Sequence, residues 1–346
     1  LILEGAGSPG EVNLKSGDLV NMRMAQYAQA PVILAGDIDR GGVYASFLGT
    51  YATLDPSERR LLYGFLVNKF RGDPTLLAPA HDYVRKMTGH PVLGVVDYLR
   101  DIGLPEEDSV NFSLIRPAPK LEKTLDAVLI GLGHIANFTD FTPLELEPDV
   151  TIRKIHCAEE FGEPDLVILP GSKSVADDMA FLESSGLAEK IRTAVGRGAW
   201  FLGVCGGLQL AGKVLLDPEH VESERESVTC LGLLPLETVM RKEKTLRQTK
   251  GRMLADGTLV SGYEIHNGVT TCREDCYVLM EGADSSPVGF GAGRIFTTYL
   301  HGIFDDDHFR RKFLNRIRQA RGMEALADGT AHYGTEESLN RLADHL

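Results

Sequence analysis

The sequence predicts an α/β protein made of two doubly wound domains with mainly parallel sheets. Three observations predict it. Short continuous apolar runs, such as Val32-Ile33-Leu34-Ala35 and Leu166-Val167-Ile168-Leu169, recur along the chain and end at small or polar turn residues. Between them lie longer segments whose apolar residues recur at helical spacing. Strands buried on both faces and separated by helices are the pattern of a parallel sheet covered on both sides. The third observation is length: 346 residues make about two domains, each able to bury its own core.

Taken in order, Leu1-Ile2-Leu3 reads as the end of a buried strand running into Glu4-Gly5-Ala6-Gly7-Ser8-Pro9-Gly10. So abrupt an opening leads us to expect more of this domain upstream. Residues 31–35 form an apolar strand closed by Gly36-Asp37-Ile38-Asp39-Arg40-Gly41-Gly42, and 43–54 a helix stopped by Asp55-Pro56. Residues 64–67 are a strand ending at Asn68-Lys69-Phe70-Arg71-Gly72-Asp73, 76–87 a helix closed by Thr88-Gly89, and 91–96 a third strand. Arg116-Pro117-Ala118-Pro119-Lys120 is the expected linker, stiffened by proline. A second α/β series follows, with strands at 126–131, 165–169, 199–204 and 293–299 and helices at 175–184, 187–197 and 208–214. The tail from 335 to 346 has the capped amphipathic pattern of a surface helix.

Composition removes several function classes. Lys and Arg number 36 against 49 Asp and Glu, a net charge of −13, which argues against nucleic acid as a partner because phosphate binding needs a basic face. The apolar runs are too short to span a bilayer, and neither a membrane partner nor a secretory signal is read. Cys157, Cys205, Cys230, Cys272 and Cys276 are odd in number and scattered, as expected of reduced thiols in a cytoplasmic protein. Cys272 and Cys276 lack a matching second pair, so no metal site is read there.

Gly203-Val204-Cys205-Gly206-Gly207 is the strongest chemical signal. An apolar strand runs into a nucleophile flanked by glycines and then into a helix. That is the form of a nucleophile elbow, with a thiol at the helix N-terminus and the Gly206 N–H available to an oxyanion. The thiolate needs a base. His301, just beyond a late strand, is the first choice, and His266, in Gly262-Tyr263-Glu264-Ile265-His266-Asn267-Gly268, is the rival.

Cys205 in its elbow, Leu169-Pro170-Gly171-Ser172-Lys173-Ser174 before it and Tyr299-Leu300-His301-Gly302-Ile303-Phe304-Asp305 after it resemble a class I glutamine amidotransferase. More narrowly, the chain resembles the cobyric acid synthase branch of the cobyrinate amidotransferases. Glu4-Gly5-Ala6-Gly7-Ser8-Pro9, Gly36-Asp37-Ile38-Asp39-Arg40-Gly41-Gly42, Asn68-Lys69-Phe70-Arg71-Gly72-Asp73, Gly94-Val95-Val96 and Ile135-Ala136-Asn137-Phe138-Thr139-Asp140-Phe141 carry that narrower likeness, which covers nearly the whole chain in order. Class I members carry a Glu two residues after the His to complete a triad. Here that position is Ile303, so a Cys-His dyad is expected.

The resemblance implies a truncated dethiobiotin-synthetase-like amidoligase domain at 1–115, a linker at 116–125, a glutamine amidotransferase domain at 126–320 and a tail at 321–346. It implies Cys205 as nucleophile, His301 as acid and base, and an oxyanion hole at Gly171 and Gly206. It implies ATP and Mg²⁺ as cofactors, with Glu4 as the metal ligand and Asp37 and Asn68 at the nucleotide. The family's phosphate-binding loop lies upstream of the Glu-Gly-Ala-Gly motif, and no Gly-x-x-x-x-Gly-Lys-Ser/Thr occurs in this sequence. The implied reaction takes ammonia from glutamine and amidates the b, d, e and g carboxylates of adenosylcobyrinic acid a,c-diamide, with glutamine and that corrin as partners. Self-association is left open. The alternatives are a cobyrinic acid a,c-diamide synthase and a glutaminase without synthetase activity.

Overall fold

The computed structural model describes residues 1–99, 124–272 and 277–345. The expected linker at Arg116–Lys120 and Cys276 lie outside the described residues. The chain divides into two compact units, Leu1–Ile102 with Glu337–Leu346, and Gly103–Glu336.

In the first unit, Val32–Asp37 (β1), Leu62–Phe70 (β2) and Val92–Asp97 (β3) form a parallel sheet in the order β1-β2-β3. The helices here are Met22–Ala28 (α1), Val43–Thr53 (α2), Pro56–Arg59 (α3) and Ala78–Thr88 (α4). Phe47 of α2 and Val84 of α4 pack with Phe65 and Val67 of β2 in one small core. A Cβ at Gly36 would lie 2.6 Å from Phe47 and Val43, so glycine is what lets α2 approach the sheet. Asp55 ends α2 and caps α3: its carboxylate accepts from the Ser57 and Glu58 N–H groups, while Glu58 accepts from the Asp55 N–H. The opening residues depart from expectation. Leu1, Ile2 and Leu3 pair with no strand among the described residues, and their side chains are exposed.

The second unit is built on a mixed sheet. Its parallel block runs, in spatial order, through Ile295–Thr298 (labelled β16 in chain order), Trp200–Val204 (β9), Leu166–Leu169 (β7), Leu125–Ile130 (β4) and Val150–Ile155 (β6). Each of the last four strands pairs in parallel with its predecessor. Two short strands, Ile135–Ala136 (β5) and Gly171–Ser172 (β8), pair separately. Beyond β16 the sheet turns largely antiparallel through Val214–Leu216 (β10), Ser227–Thr229 (β11), Leu236–Met253 (β12), Leu259–Cys272 (β13), Tyr277–Gly282 (β14) and Pro287–Ala292 (β15). The helices are Thr142–Glu145 (α5), Val175–Ser184 (α6), Leu187–Gly196 (α7), Gly206–Ala211 (α8), Asp307–Ala320 (α9) and Thr335–His345 (α10), the last straddling the division between the units. The helix expected at 208–214 is shorter than read: α8 ends at Ala211 and the chain re-enters the sheet as β10.

Strand alternation divides the core in two. Leu125, Ala127 and Leu129 face a cluster with Phe309, Phe313 and Ile317 of α9. Val128 and Ile130 face the other way, toward Met179, Leu182 and Ile191 of α6 and α7. An ionic cluster anchors α9: Arg310, Arg311 and Arg318 pair with Glu147, and Arg318 also pairs with Asp149, all five being buried.

Candidate active site

Cys205 sits where β9 passes into α8, with φ +50° and ψ −105°, a conformation that non-glycine residues seldom hold. Its neighbours explain how the turn closes. A Cβ at Gly207 would lie 2.1 Å from the Leu169 carbonyl oxygen, one at Gly203 2.6 Å from that of Gly207, and one at Gly206 2.6 Å from the Ser172 nitrogen. Three glycines therefore press the elbow against the end of β7 and against β8. The Cys205 N–H donates to the Thr298 carbonyl at 2.8 Å, tying the turn to β16. Its Sγ, 7% exposed at the residue level, lies 3.7 Å from the Ile265 carbonyl of β13, to which it donates. Gly206, first residue of α8, presents an N–H with no intrahelical acceptor, and Gly171 lies in β8 behind it.

His301 follows β16, and the Cys205 thiol is one of the two groups that act on its imidazole. Its Nδ1 lies 2.7 Å from Asp140 Oδ2, and the other carboxylate oxygen of Asp140 accepts from the Gly302 N–H at 2.9 Å. With Nδ1 taken by Asp140, Nε2 is the nitrogen left for the thiol. Burial opposes charge on the ring, but the bonds to Asp140 and Cys205 and their charges outweigh it and push His301 up to about 10.

The expected dyad is thus corrected. Ile303 is buried apolar packing, and His301 has a carboxylate partner from a different stretch of chain. Asp140 lies in a short 3-10 turn, Phe138–Phe141, 161 residues before the histidine. Sequence reasoning missed it by looking only two residues beyond His301. The available signal was the Asn137-Phe138-Thr139-Asp140-Phe141 motif, which held an acid without a role. Asp305 nearby is pushed up to about 6 by burial and by the charge of Asp140.

His266 is occupied elsewhere. Its Nδ1 lies 2.8 Å from the Gly268 carbonyl and its Nε2 3.3 Å from Glu264, and its ring stacks on Tyr299 at 3.8 Å. Glu264 is buried, which disfavours its charge, yet hydrogen bonds from His266, Thr249 and Arg247 hold it down at about 2. Gln209 of α8 donates to the Tyr299 hydroxyl at 3.3 Å, completing a polar layer behind the nucleophile.

In the first unit, β1 and β2 bring Asp37 and Asn68 into register at their carboxyl ends. There Asp37 pairs with Lys69 at 3.0 Å, Asp39 pairs with Arg71 at 3.1 Å, and the Asn68 side-chain oxygen accepts from the Lys69 N–H. Arg71 also lies over the Tyr98 ring at 3.5 Å. Glu4 is exposed on an irregular segment and makes no hydrogen bond or ion pair among the described residues. No group of three or more His, Cys, Asp or Glu converges among the described residues.

Comparison with known proteins agrees with this geometry. Residues 126–309 match the CobB/CobQ-like glutamine amidotransferase domain. A cobyric acid synthase of Nitratidesulfovibrio vulgaris is 46% identical over 387 aligned residues, covering 99% of this chain and 71% of the relative. One from Carboxydothermus hydrogenoformans is 44% identical, covering 94% and 67%. The adenosylcobalamin biosynthesis bifunctional protein CobDQ of Leptospira interrogans is 44% identical over all of this chain and 41% of its own length. With a cysteine elbow, a histidine facing it and this breadth of identity, the chain belongs to the cobyric acid synthase family of glutamine-dependent amidoligases.

Proposed function

We infer that the second unit releases ammonia from glutamine at Cys205, His301 and Asp140, for amidation of a corrin carboxylate. The observation that carries this reading is His301 held by a buried carboxylate at 2.7 Å, with a strained, glycine-walled cysteine acting on the same ring. His301 takes the thiol proton of Cys205 as the sulfur attacks the side-chain amide carbon of glutamine. The oxyanion that forms is met by backbone N–H groups at Gly206 and Gly171. His301 donates a proton to the departing nitrogen, ammonia leaves, and a glutamyl thioester remains. His301 then takes a proton from water as it attacks the thioester, and glutamate departs. Asp140 fixes the ring's tautomer and stabilises the imidazolium, the part a carboxylate plays in Cys-His and Ser-His sites generally.

The acceptor chemistry belongs to the family reading. Residues 1–115 would form the synthetase half and 126–320 the amidotransferase half of a cytoplasmic enzyme. The substrate is adenosylcobyrinic acid a,c-diamide, amidated at its b, d, e and g carboxylates. ATP with Mg²⁺ supplies carboxylate activation, with Asp37 and Asn68 at the strand ends as the nucleotide candidates and Glu4 as the metal candidate. The test is glutamate and ammonium release by wild type and Cys205→Ala. Release that persists in the pure variant removes Cys205 from the reaction.

A further inference from the structure

Tyr263 lies beside the proposed catalytic histidine without belonging to the reaction above. Its backbone forms an isolated antiparallel bridge with His301: the Tyr263 N–H donates to the His301 carbonyl at 3.1 Å, and the His301 N–H to the Tyr263 carbonyl at 2.9 Å. Its ring stacks on the imidazole, centroids 5.2 Å apart and planes 23° apart. Its hydroxyl accepts from the Asn137 side-chain amide at 3.1 Å. Asn137 precedes the turn that carries Asp140, and the Asp140 N–H donates back to the Asn137 carbonyl at 3.1 Å. The contacts close a ring: Asp140 to His301, His301 to Tyr263, Tyr263 to Asn137, Asn137 to Asp140. Two residues on from Tyr263, the Ile265 carbonyl meets the nucleophile's sulfur.

We propose that Tyr263, latched by Asn137, is a positioning residue for His301: it covers one face of the imidazole and keeps the Asp140 turn and β13 in register with Cys205. The proposal rests on the glutaminase reading for its kinetic arm alone. A flat ring at stacking distance restrains imidazole rotation and excludes water from one face. The latch matters because the Asp140 turn and β13 are distant in sequence, and the Asn137–Tyr263 hydrogen bond joins them directly, 126 residues apart. Asn137 is suited to its place, since its φ of +53° is one that asparagine tolerates better than most residues. The charged and titratable groups around the pair are Asp140, Cys205 and Asp305.

The experiment uses the full chain and compares Tyr263→Ala, Tyr263→Phe and Asn137→Gly. The first arm follows the His301 imidazole by nitrogen NMR against pH, the signal being assigned by its loss in His301→Asn. Freed of its restraint, the His301 ring loosens from Asp140 and Cys205, whose interactions hold its midpoint up, and this outweighs the gain in hydration, so the midpoint falls in Tyr263→Ala by about one unit or more. The second arm is glutamine hydrolysis: Tyr263→Ala lowers kcat about tenfold or more while KM moves less than about threefold. Tyr263→Phe, which keeps the ring but cuts the latch, stays within about threefold of wild type in both readouts, shifted in the same direction as Asn137→Gly. Asn137→Gly, which keeps backbone freedom and removes the amide, moves both in the direction of Tyr263→Ala by a smaller amount. If Tyr263→Ala does not fold, matching small shifts in Tyr263→Phe and Asn137→Gly, which cut the same hydrogen bond, carry the test, and no shift in either overturns the latch. An unmoved His301 midpoint with kcat within about twofold of wild type overturns the proposal. So does a rise in KM alone, which would make Tyr263 a glutamine-binding surface. If wild type hydrolyses no glutamine but the midpoint still moves, the positioning role stands and the glutaminase reading falls.

Discussion

Cys205, His301 and Asp140 form a chain in which each residue is useful only because of the next. The thiol needs a base, the base needs its tautomer fixed, and the carboxylate does the fixing. Replacing His301 by Asn should remove most glutamine hydrolysis, whereas His266→Asn should be milder because both ring nitrogens of His266 are already engaged. The reverse order of severity would reassign the base. Asp140→Asn should lower kcat by about two to four orders of magnitude, and Ile303→Ala should not resemble it. Stability also carries this signature. His301 is raised from its unfolded value to about 10, so its charge stabilises the fold fully below the unfolded value and the contribution is lost as pH rises toward 10. Asp140→Asn should therefore lose less stability than wild type between about pH 6.5 and the raised value, read as urea midpoints. Parallel losses in the two proteins would contradict the coupling. The placement of Cys205 in a strand-to-helix turn and of His301 just beyond a strand was legible because each is announced by its immediate neighbours. Asp140 was not, because its partnership forms only when the parallel block brings a turn near β5 beside the loop after β16.

Among the elements, the elbow shows how little room the site has. A Gly207→Ala methyl would meet the Leu169 carbonyl at 2.1 Å, an overlap with rigid backbone at the end of β7. We expect a loss of about 1–3 kcal/mol and impaired hydrolysis, measured by denaturant titration and glutamate release. Unchanged stability would mean that β7 and α8 can move apart. Helix α9 depends on a different device. Glu147 faces three buried arginines, and Glu147→Ala would leave Arg311 without its carboxylate while Arg310 keeps Asp307 and Arg318 keeps Asp149, at a cost of about 3–5 kcal/mol. A denaturation midpoint equal to wild type would show that water reaches the cluster. The strands of the parallel block could be read from sequence because they are buried on both faces and hence continuously apolar. The long hairpin of β12 and β13 could not. Residues such as Arg241, Lys242, Glu243 and Lys244 face solvent where the pairing register shifts between Met240 and Thr245, so no clean alternation marks them as strand.

Across the whole molecule, a glutamine-dependent amidoligase divides labour between releasing ammonia and consuming it. Supplied with ATP, Mg²⁺ and the corrin diamide, Cys205→Ala should lose the glutamine-supported share of amide formation while any ammonium-supported share stays at the wild-type level, followed by product mass. Loss of both together would tie Cys205 to the acceptor step. The order of the family motifs was legible because they run along the chain in sequence. The roles of Glu4, Asp37 and Asn68 were not, because Asp37 and Asn68 are engaged with Lys69 and Glu4 with nothing among the described residues. The most direct measurement of the central claim is covalent trapping. Wild type and Cys205→Ala are treated with an electrophilic glutamine analogue and analysed by intact mass and peptide mapping. The account predicts a single adduct on Cys205 in wild type, suppressed by excess glutamine, and no adduct in Cys205→Ala. An adduct of equal yield in the variant, or one mapped in wild type to a different residue, would contradict it.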